Sequence, residues 1–265
     1  ESGQISGFII EKIHESDDGA LWIHSNYGFD RFNTPTGMVE HHPEINGSYK
    51  SAASPGGMAV AMKSDGTFFY YDNEARKFVV ADLPSVRYSD IINMMFDSSG
   101  RLMVARRDGL TIFAVKSADG GQCRFEPADT FTFDTPVKYM CEAADGSFYV
   151  IDENYTISMY ESGTGELKFV CTINPPTHMR GLIGSVVKAG DNIVVGFKSE
   201  GAMMVTPSTG AVRILDIPFS VFDLCYDSKQ RILWAATDGG GIYTYANGPF
   251  DFDEHFFSDF PELNL

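Results

Sequence analysis

The strongest constraint in this sequence is that it repeats itself. A short turn stands before a hydrophobic triplet six times: Asp18-Gly19, Gly56-Gly57, Ser99-Gly100, Asp145-Gly146, Ala189-Gly190 and Lys229-Gln230. The last residues of these turns are 38, 43, 46, 44 and 40 positions apart. The triplets are Leu21-Trp22-Ile23, Ala59-Val60-Ala61, Leu102-Met103-Val104, Phe148-Tyr149-Val150, Ile193-Val194-Val195 and Leu233-Trp234-Ala235. A second turn column follows at Gly28, Gly66, Gly109, Gly201 and Gly241, with Asn154 in the fourth unit. Asn tolerates the left-handed conformation best after Gly, so a positive φ is expected at Asn154. A third turn closes most units, at Thr36-Gly37, Asp119-Gly120, Thr164-Gly165, Thr209-Gly210 and Asn247-Gly248.

Short apolar runs separated by Gly and Asn turns at this spacing predict an all-β fold. Each unit reads as four strands. The second strand is apolar on both faces, so each sheet is covered on both sides. A four-stranded sheet cannot bury both of its own faces, but stacking on similar sheets does so. The expected fold is therefore a β-propeller of four-stranded antiparallel blades, one domain over 1–265. Six units are visible, at about 5–46, 47–87, 88–134, 135–178, 179–218 and 219–258. The tail from Phe260 to Leu265 is a candidate lead-in to a further blade, which would make the chain a piece of a larger array.

Composition narrows the partners. The 265 residues carry 36 acidic and 20 basic side chains, a formal charge of −16. Phosphate backbones and anionic membrane surfaces are repelled by such a protein, so neither nucleic acid nor membrane contact is expected of this segment. No apolar run approaches the ~18 residues of a spanning helix. The chain opens at Glu1 without a Met or a charged-then-apolar leader, as expected of a processed product or an excised piece.

Catalytic and metal motifs are not found: there is no H-E-x-x-H, P-loop, G-x-S-x-G elbow or EF-hand loop. No cofactor, metal or catalytic residue is expected. His41-His42 is expected in a solvated outer-strand loop, with no Cys or third His near it. The denser carboxylates, Asp17-Asp18 and Asp251, Asp253 and Glu254, read as turn chemistry and acidic surface. Cys123, Cys141, Cys171 and Cys225 form no C-x-x-C pair and are expected as buried free thiols. Trp22 and Trp234 are expected in the packing between blades.

The first unit carries a family likeness. Residues 18–33, D-G-A-L-W-I-H-S-N-Y-G-F-D-R-F-N, resemble the two-component regulator propeller repeat, D-G-x-L-W-I-G-T-x-x-G-L-x-R-F-N. His24 and Ser25 depart from its Gly-Thr. The stretch from Ile232 to Ile242 is a second match, while the middle four units keep the strand and turn pattern without the Trp. The resemblance implies the periplasmic sensor region of a Bacteroidetes hybrid two-component histidine kinase. In that family the propellers precede an immunoglobulin-like domain, a membrane helix and a kinase, and they are linked to sensing oligosaccharides. It therefore implies a non-enzymatic sensor, with a small oligosaccharide ligand and a homodimer within a longer receptor as partners. A protein-interaction scaffold and a propeller lyase or lactonase are the alternatives.

By analogy with other propellers, a ligand is expected at one rim, formed by the turns after the second strands and the connections between blades. The repeat places there Asn26, Tyr27, Tyr49, Arg87, Tyr88, Arg106, Arg107, Asp108, Asn154, Tyr155, His178, Arg180, Lys198 and Asp238. Aromatic faces suit sugar C–H surfaces, and Arg or Lys can clamp a uronic or sulfated group.

Overall fold

The computed structural model describes residues 5–7, 10–16, 18–54, 56–84, 86–117, 123–144, 147–161, 164–246 and 252–255. Of these, the side chains at 11, 48–49, 117, 144, 246 and 252–255 are not described. The expected Asp145-Gly146, Asp119-Gly120 and Asn247-Gly248 turns, Asp17, Asp251 and the tail lie outside the described residues.

The chain forms six four-stranded antiparallel sheets, each a simple meander in chain order, in a propeller arrangement. Sheet one holds β1 (Ile10–Glu15), β2 (Ala20–Ser25), β3 (Gly28–Asn33) and β4 (Met38–His42). Sheet two holds β5 (Ser48–Ala53), β6 (Ala59–Lys63), β7 (Phe68–Asp72) and β8 (Lys77–Ala81). Sheet three holds β9 (Ile91–Phe96), β10 (Leu102–Arg106), β11 (Gly109–Ser117) and β12 (Cys123–Thr132). Sheet four holds β13 (Val137–Ala144), β14 (Ser147–Asp152), β15 (Thr156–Glu161) and β16 (Glu166–Thr172). Sheet five holds β17 (Ile183–Ala189), β18 (Asn192–Phe197), β19 (Ala202–Thr206) and β20 (Ala211–Leu215). Sheet six holds β21 (Val221–Asp227), β22 (Ile232–Thr237), β23 (Ile242–Ala246) and β24 (Phe252–His255). The chain divides into two compact units, residues 1–137 with 144–146, and residues 138–143 with 147–265.

The first unit packs aromatically. Trp22 is fully buried with Phe29, Ile45, Phe69, Tyr71 and Phe78 between sheets one and two. Its ring lies 4.7 Å from Tyr71 and 5.7 Å from Phe29, His42 and Phe78. The repeat motif explains itself here. The Asp18 carboxylate accepts from the Ala20 N–H at 3.0 Å and pairs with the Arg31 guanidinium. Arg31 in turn lies 5.7 Å over the Trp22 ring. Asp, Trp and Arg of the motif thus form one structural unit that closes the first turn onto the core. The second core of this unit, between sheets two and three, is built from Val60, Phe68, Tyr70, Met94, Leu102 and Phe113.

The second unit packs aliphatically. Ile151, Ile157, Ile193, Val195 and Val205 fill the space between sheets four and five, and Leu215, Val221, Leu224 and Leu233 that between five and six. Trp234 is only half-buried, and its partner across the ladder is Thr244 instead of an Arg.

Several local expectations are corrected. The positive φ of the fourth unit falls on Tyr155 (59°), one residue after Asn154, because Asn154 is spent in an Asx turn whose N–H reaches Asp152 Oδ1 at 2.9 Å. His42 is buried against Trp22, Tyr71 and Phe78, not solvated, since it ends β4 on the core side; burial holds its pKa below the ordinary histidine value. His41 instead reaches Asp30, a fully buried carboxylate, at 2.8 Å. Cys141 and Cys171 are buried thiols, but Cys225 is exposed because it alternates to the outer face of β21 between Leu224 and Tyr226. Cys123 is half-buried.

Candidate functional site

The first strand is interrupted at one repeated place in sheets one, two, three, five and six. The register slips between Ile10 and Lys12, Ser48 and Lys50, and Ile183 and Ser185. It slips again between Val221 and Asp223, and opposite Ala105 and Arg106, where Asn93 and Ile91 are the partners. Each slip is a β-bulge, which bends a strand and re-aims the side chain after it. The residues after the bulge are Lys12, Lys50, Asn93, Ser185 and Asp223, and every one is polar. Gly184 shows how tight the bulge is: a Cβ there would meet the Val221 carbonyl oxygen at 2.0 Å.

In the first unit this column is cationic. Lys12 Nζ donates to the carbonyls of Ser51 at 3.5 Å and Met94 at 3.4 Å, reaching from sheet one across sheet two to sheet three. Lys50 Nζ donates to the Ile92 carbonyl at 3.5 Å. Burial lowers the Lys50 pKa from the ordinary lysine value. Behind the ammonium groups stand two histidines. Ser51 Oγ and His24 Nδ1 are 3.1 Å apart. His14 has its pKa pushed well below the ordinary value by burial first, then by Lys12 and His24, and its Nε2 has no hydrogen-bond partner among the described residues.

In the second unit the column is neutral to acidic. The Tyr139 side chain bonds that of Ser185, and Ser185 Oγ donates to Asp223 Oδ1 at 2.8 Å. The same carboxylate oxygen accepts the Leu224 N–H at 2.9 Å. Burial raises the Tyr139 pKa, so the phenol is a donor at neutral pH. The bulge residue Phe222 is 49% exposed, and Lys198 Nζ stands 5.1 Å over its ring.

The rim residues expected from the repeat fall beside these strands. In sheet three, the Arg107 N–H donates to the Asp90 carbonyl at 3.0 Å and Phe133 N–H to the Asp108 carbonyl at 3.1 Å. These bonds put Arg87, Tyr88, Arg106, Arg107 and Asp108 along one edge, with Arg106 3.6 Å from Asp108. In sheet one, Asn26 is half-buried and Tyr27 exposed in the turn after β2. Tyr49 is the bulge residue of β5, and its side chain lies outside the described residues.

In the second unit, Tyr155 ties a turn to the next connection: its hydroxyl donates to the Gly181 carbonyl at 3.2 Å and accepts the Gly181 N–H at 3.0 Å. That brings exposed Asn154 toward His178 and Arg180, whose Nε donates to the Pro175 carbonyl at 3.0 Å. Lys198 N–H donates to the Leu182 carbonyl at 2.9 Å, and Asp238 N–H to the Ser220 carbonyl at 3.0 Å. The Lys198 and Asp238 bonds repeat the one made by Arg107 in sheet three, so the three turns close in the same way.

Reasoning from the sequence missed Lys12, Lys50, Tyr139, Ser185 and Asp223. A signal was present. Lys12, Lys50, Asn93 and Tyr139 each stand seven positions before the last residue of the first turn.

A serine, a histidine and an aspartate also meet at Ser6, His41 and Asp30, but not as a catalytic relay. Ser6 Oγ and Asp30 Oδ1 both approach the same ring nitrogen, His41 Nδ1, at 3.1 and 2.8 Å. A relay needs the acid and the hydroxyl on opposite nitrogens. Ser6 instead caps the buried carboxylate, through its N–H and its hydroxyl at 2.6 Å each.

Fold and edge together define a β-propeller with a polar column along its first strands. No family model and no curated protein matches the sequence. Among solved structures, two of the extracellular domain of BT4673 from B. thetaiotaomicron superpose with TM-scores of 0.67 and 0.65, over 96% and 95% of this chain. One is described as a one-component and the other as a hybrid two-component system; identity is 16% in both. This chain spans 34% of each of those chains. U3-55K superposes at 0.71 with 8% identity, over 94% of this chain and 82% of that one. These likenesses establish the propeller fold. Among the described residues, no helix is long and apolar enough to cross a membrane.

Proposed function

We propose that this chain is the ligand-sensing propeller of an extracytoplasmic receptor, a non-enzymatic part of a hybrid two-component system that responds to oligosaccharides. The observation that carries the reading is a convergence. The D-G-x-L-W-I and R-F-N signature of sheet one resembles the regulator propeller repeat, and the whole chain overlays the extracellular domain of BT4673. The step from fold to role is analogy, since U3-55K shares the fold equally well. The polar columns supply hydroxyl, carboxylate and ammonium groups of the kind that bind sugar hydroxyls and acids. Binding drives a signal through different affinities for two arrangements of the receptor.

Isothermal titration against an oligosaccharide panel tests this reading. Binding without release of any product supports it. Turnover of a panel member, or silence across the panel, overturns it.

A second reading, a dimerisation scaffold, is favoured by exposed apolar residues on fourth strands. Met38 is 69% exposed in one unit, and Phe169 68% and Ile214 52% in the other. Light scattering of the protein at micromolar concentration, with Phe169→Ser and Ile214→Ser as variants, separates it from sensing. A dimer that these changes dissociate supports the scaffold, and a monomer excludes it.

A further inference from the structure

The geometry points to an anion seat in the first unit, formed by Lys12 and Lys50, which receives a carboxylate or sulfate group of the ligand. This rests on the sensing reading and names the chemistry that the site selects.

Four observations support it. The protein is strongly acidic, yet the bulge column of sheets one and two presents two lysines. An ammonium has three donors, and the Lys50 group meets one backbone carbonyl at 3.5 Å, beyond the usual hydrogen-bond range. Among the described residues, no carboxylate lies within ion-pair distance of Lys50. The two side chains also converge. Their acceptors, Met94 and Ile92, both lie on β9, on either side of Asn93. An oxyanion placed between two ammonium groups can bond both.

Nothing in the packing requires lysine at position 50. A buried methylene chain ending in a methyl would fill the same strand edge without desolvating a charge. The neighbouring titratable groups, His14 and His24, are histidines; burial holds His14 neutral, so it neither repels nor neutralises an anion there.

The test uses cellobiouronic acid, cellobiose 6-sulfate, neutral cellobiose and inorganic sulfate as probes. Wild type, Lys50→Met and Lys50→Arg are titrated with each, while lysine Nζ signals are followed by NMR in the wild type. The expected result is that one of the charged disaccharides binds at least about tenfold tighter than cellobiose. Lys50→Met is expected to lose that gain, with the melting temperature not reduced, and Lys50→Arg to keep it. Inorganic sulfate is expected to shift the Lys12 and Lys50 signals and to leave Lys77 unmoved. Whichever charged disaccharide binds tighter identifies the group.

Equal binding of all three disaccharides, unchanged in Lys50→Met, overturns the seat and leaves the sensing reading standing. Sulfate shifts at Lys12 and Lys50 with no disaccharide bound support the seat and count against the oligosaccharide reading. No response to any probe overturns the seat.

Discussion

The two compact units share one repeat grammar and solve its packing differently. The first closes its core on aromatic rings, with Trp22 locked from above by Arg31 and Asp18. The second fills the equivalent spaces mainly with Ile, Val and Leu, with Tyr149, Phe197, Tyr243 and Tyr245 among them, and its Trp234 is half-buried. The same division appears on the first-strand edge, where Lys12, Lys50 and Asn93 occupy the column in one unit and Tyr139, Ser185 and Asp223 stand in the other. The lesson is that strand grammar fixes the sheet, while the residues at equivalent positions are free to diverge between a structural and a chemical task.

The largest expected effect is in the aromatic core. Trp22→Ala is expected to cost ~3–5 kcal/mol in chemical denaturation, the range for a fully buried large aromatic. Trp234→Ala is expected to cost less than half of that. Equal costs would break the contrast between the two cores.

Gly184→Ala comes next. The added Cβ would overlap the Val221 carbonyl oxygen, so a loss of ~3 kcal/mol is expected. Gly37→Ala, where only the left-handed φ of 69° is strained and the space around is open, is expected to lose ~1 kcal/mol. The difference measures how far the bulge depends on backbone contact between sheets five and six.

Acid is expected to separate the units. The folded pKa values of His14 and His42 lie below that of a free histidine, mainly through burial. The unfolded chain therefore binds their protons first, and stability falls as pH drops below about 6.5. Hydrogen exchange at pH 7.5 and pH 5.5 is expected to show protection lost in β1–β8 and kept in β17–β23. His14→Gln is expected to flatten that loss. Uniform loss in both units would contradict the assignment.

The smallest effect is at the partly exposed Asp18–Arg31 pair. Arg31→Gln is expected to cost about 1 kcal/mol, the upper end for such pairs because the ring contact is lost with the charge.

Much of the fold was legible because its signals are local. Gly19, Gly57, Gly100 and Gly190 all take the positive φ their turns require. The apolar triplets became the second strands of all six sheets. Conformation within a turn was less legible: Arg76, Tyr155 and Arg231 take the left-handed position where Gly or Asn was expected or absent. The site was the least legible part. A bulge shifts the register by one residue and moves a side chain to the other face. An unbroken alternation along a first strand therefore does not place Lys12 and Lys50 on the face they take. The place of Tyr155 in the turn between β14 and β15 was legible, but not that its hydroxyl is engaged by Gly181.

Hydrogen-exchange mass spectrometry with a binding oligosaccharide tests the account most directly. The prediction is protection concentrated on β1, β5 and β9, around Lys12, Lys50 and the Met94 carbonyl, with the sugar recovered intact. Protection confined to the outer strands β4, β8 and β16, or recovery of a cleaved sugar, would contradict it.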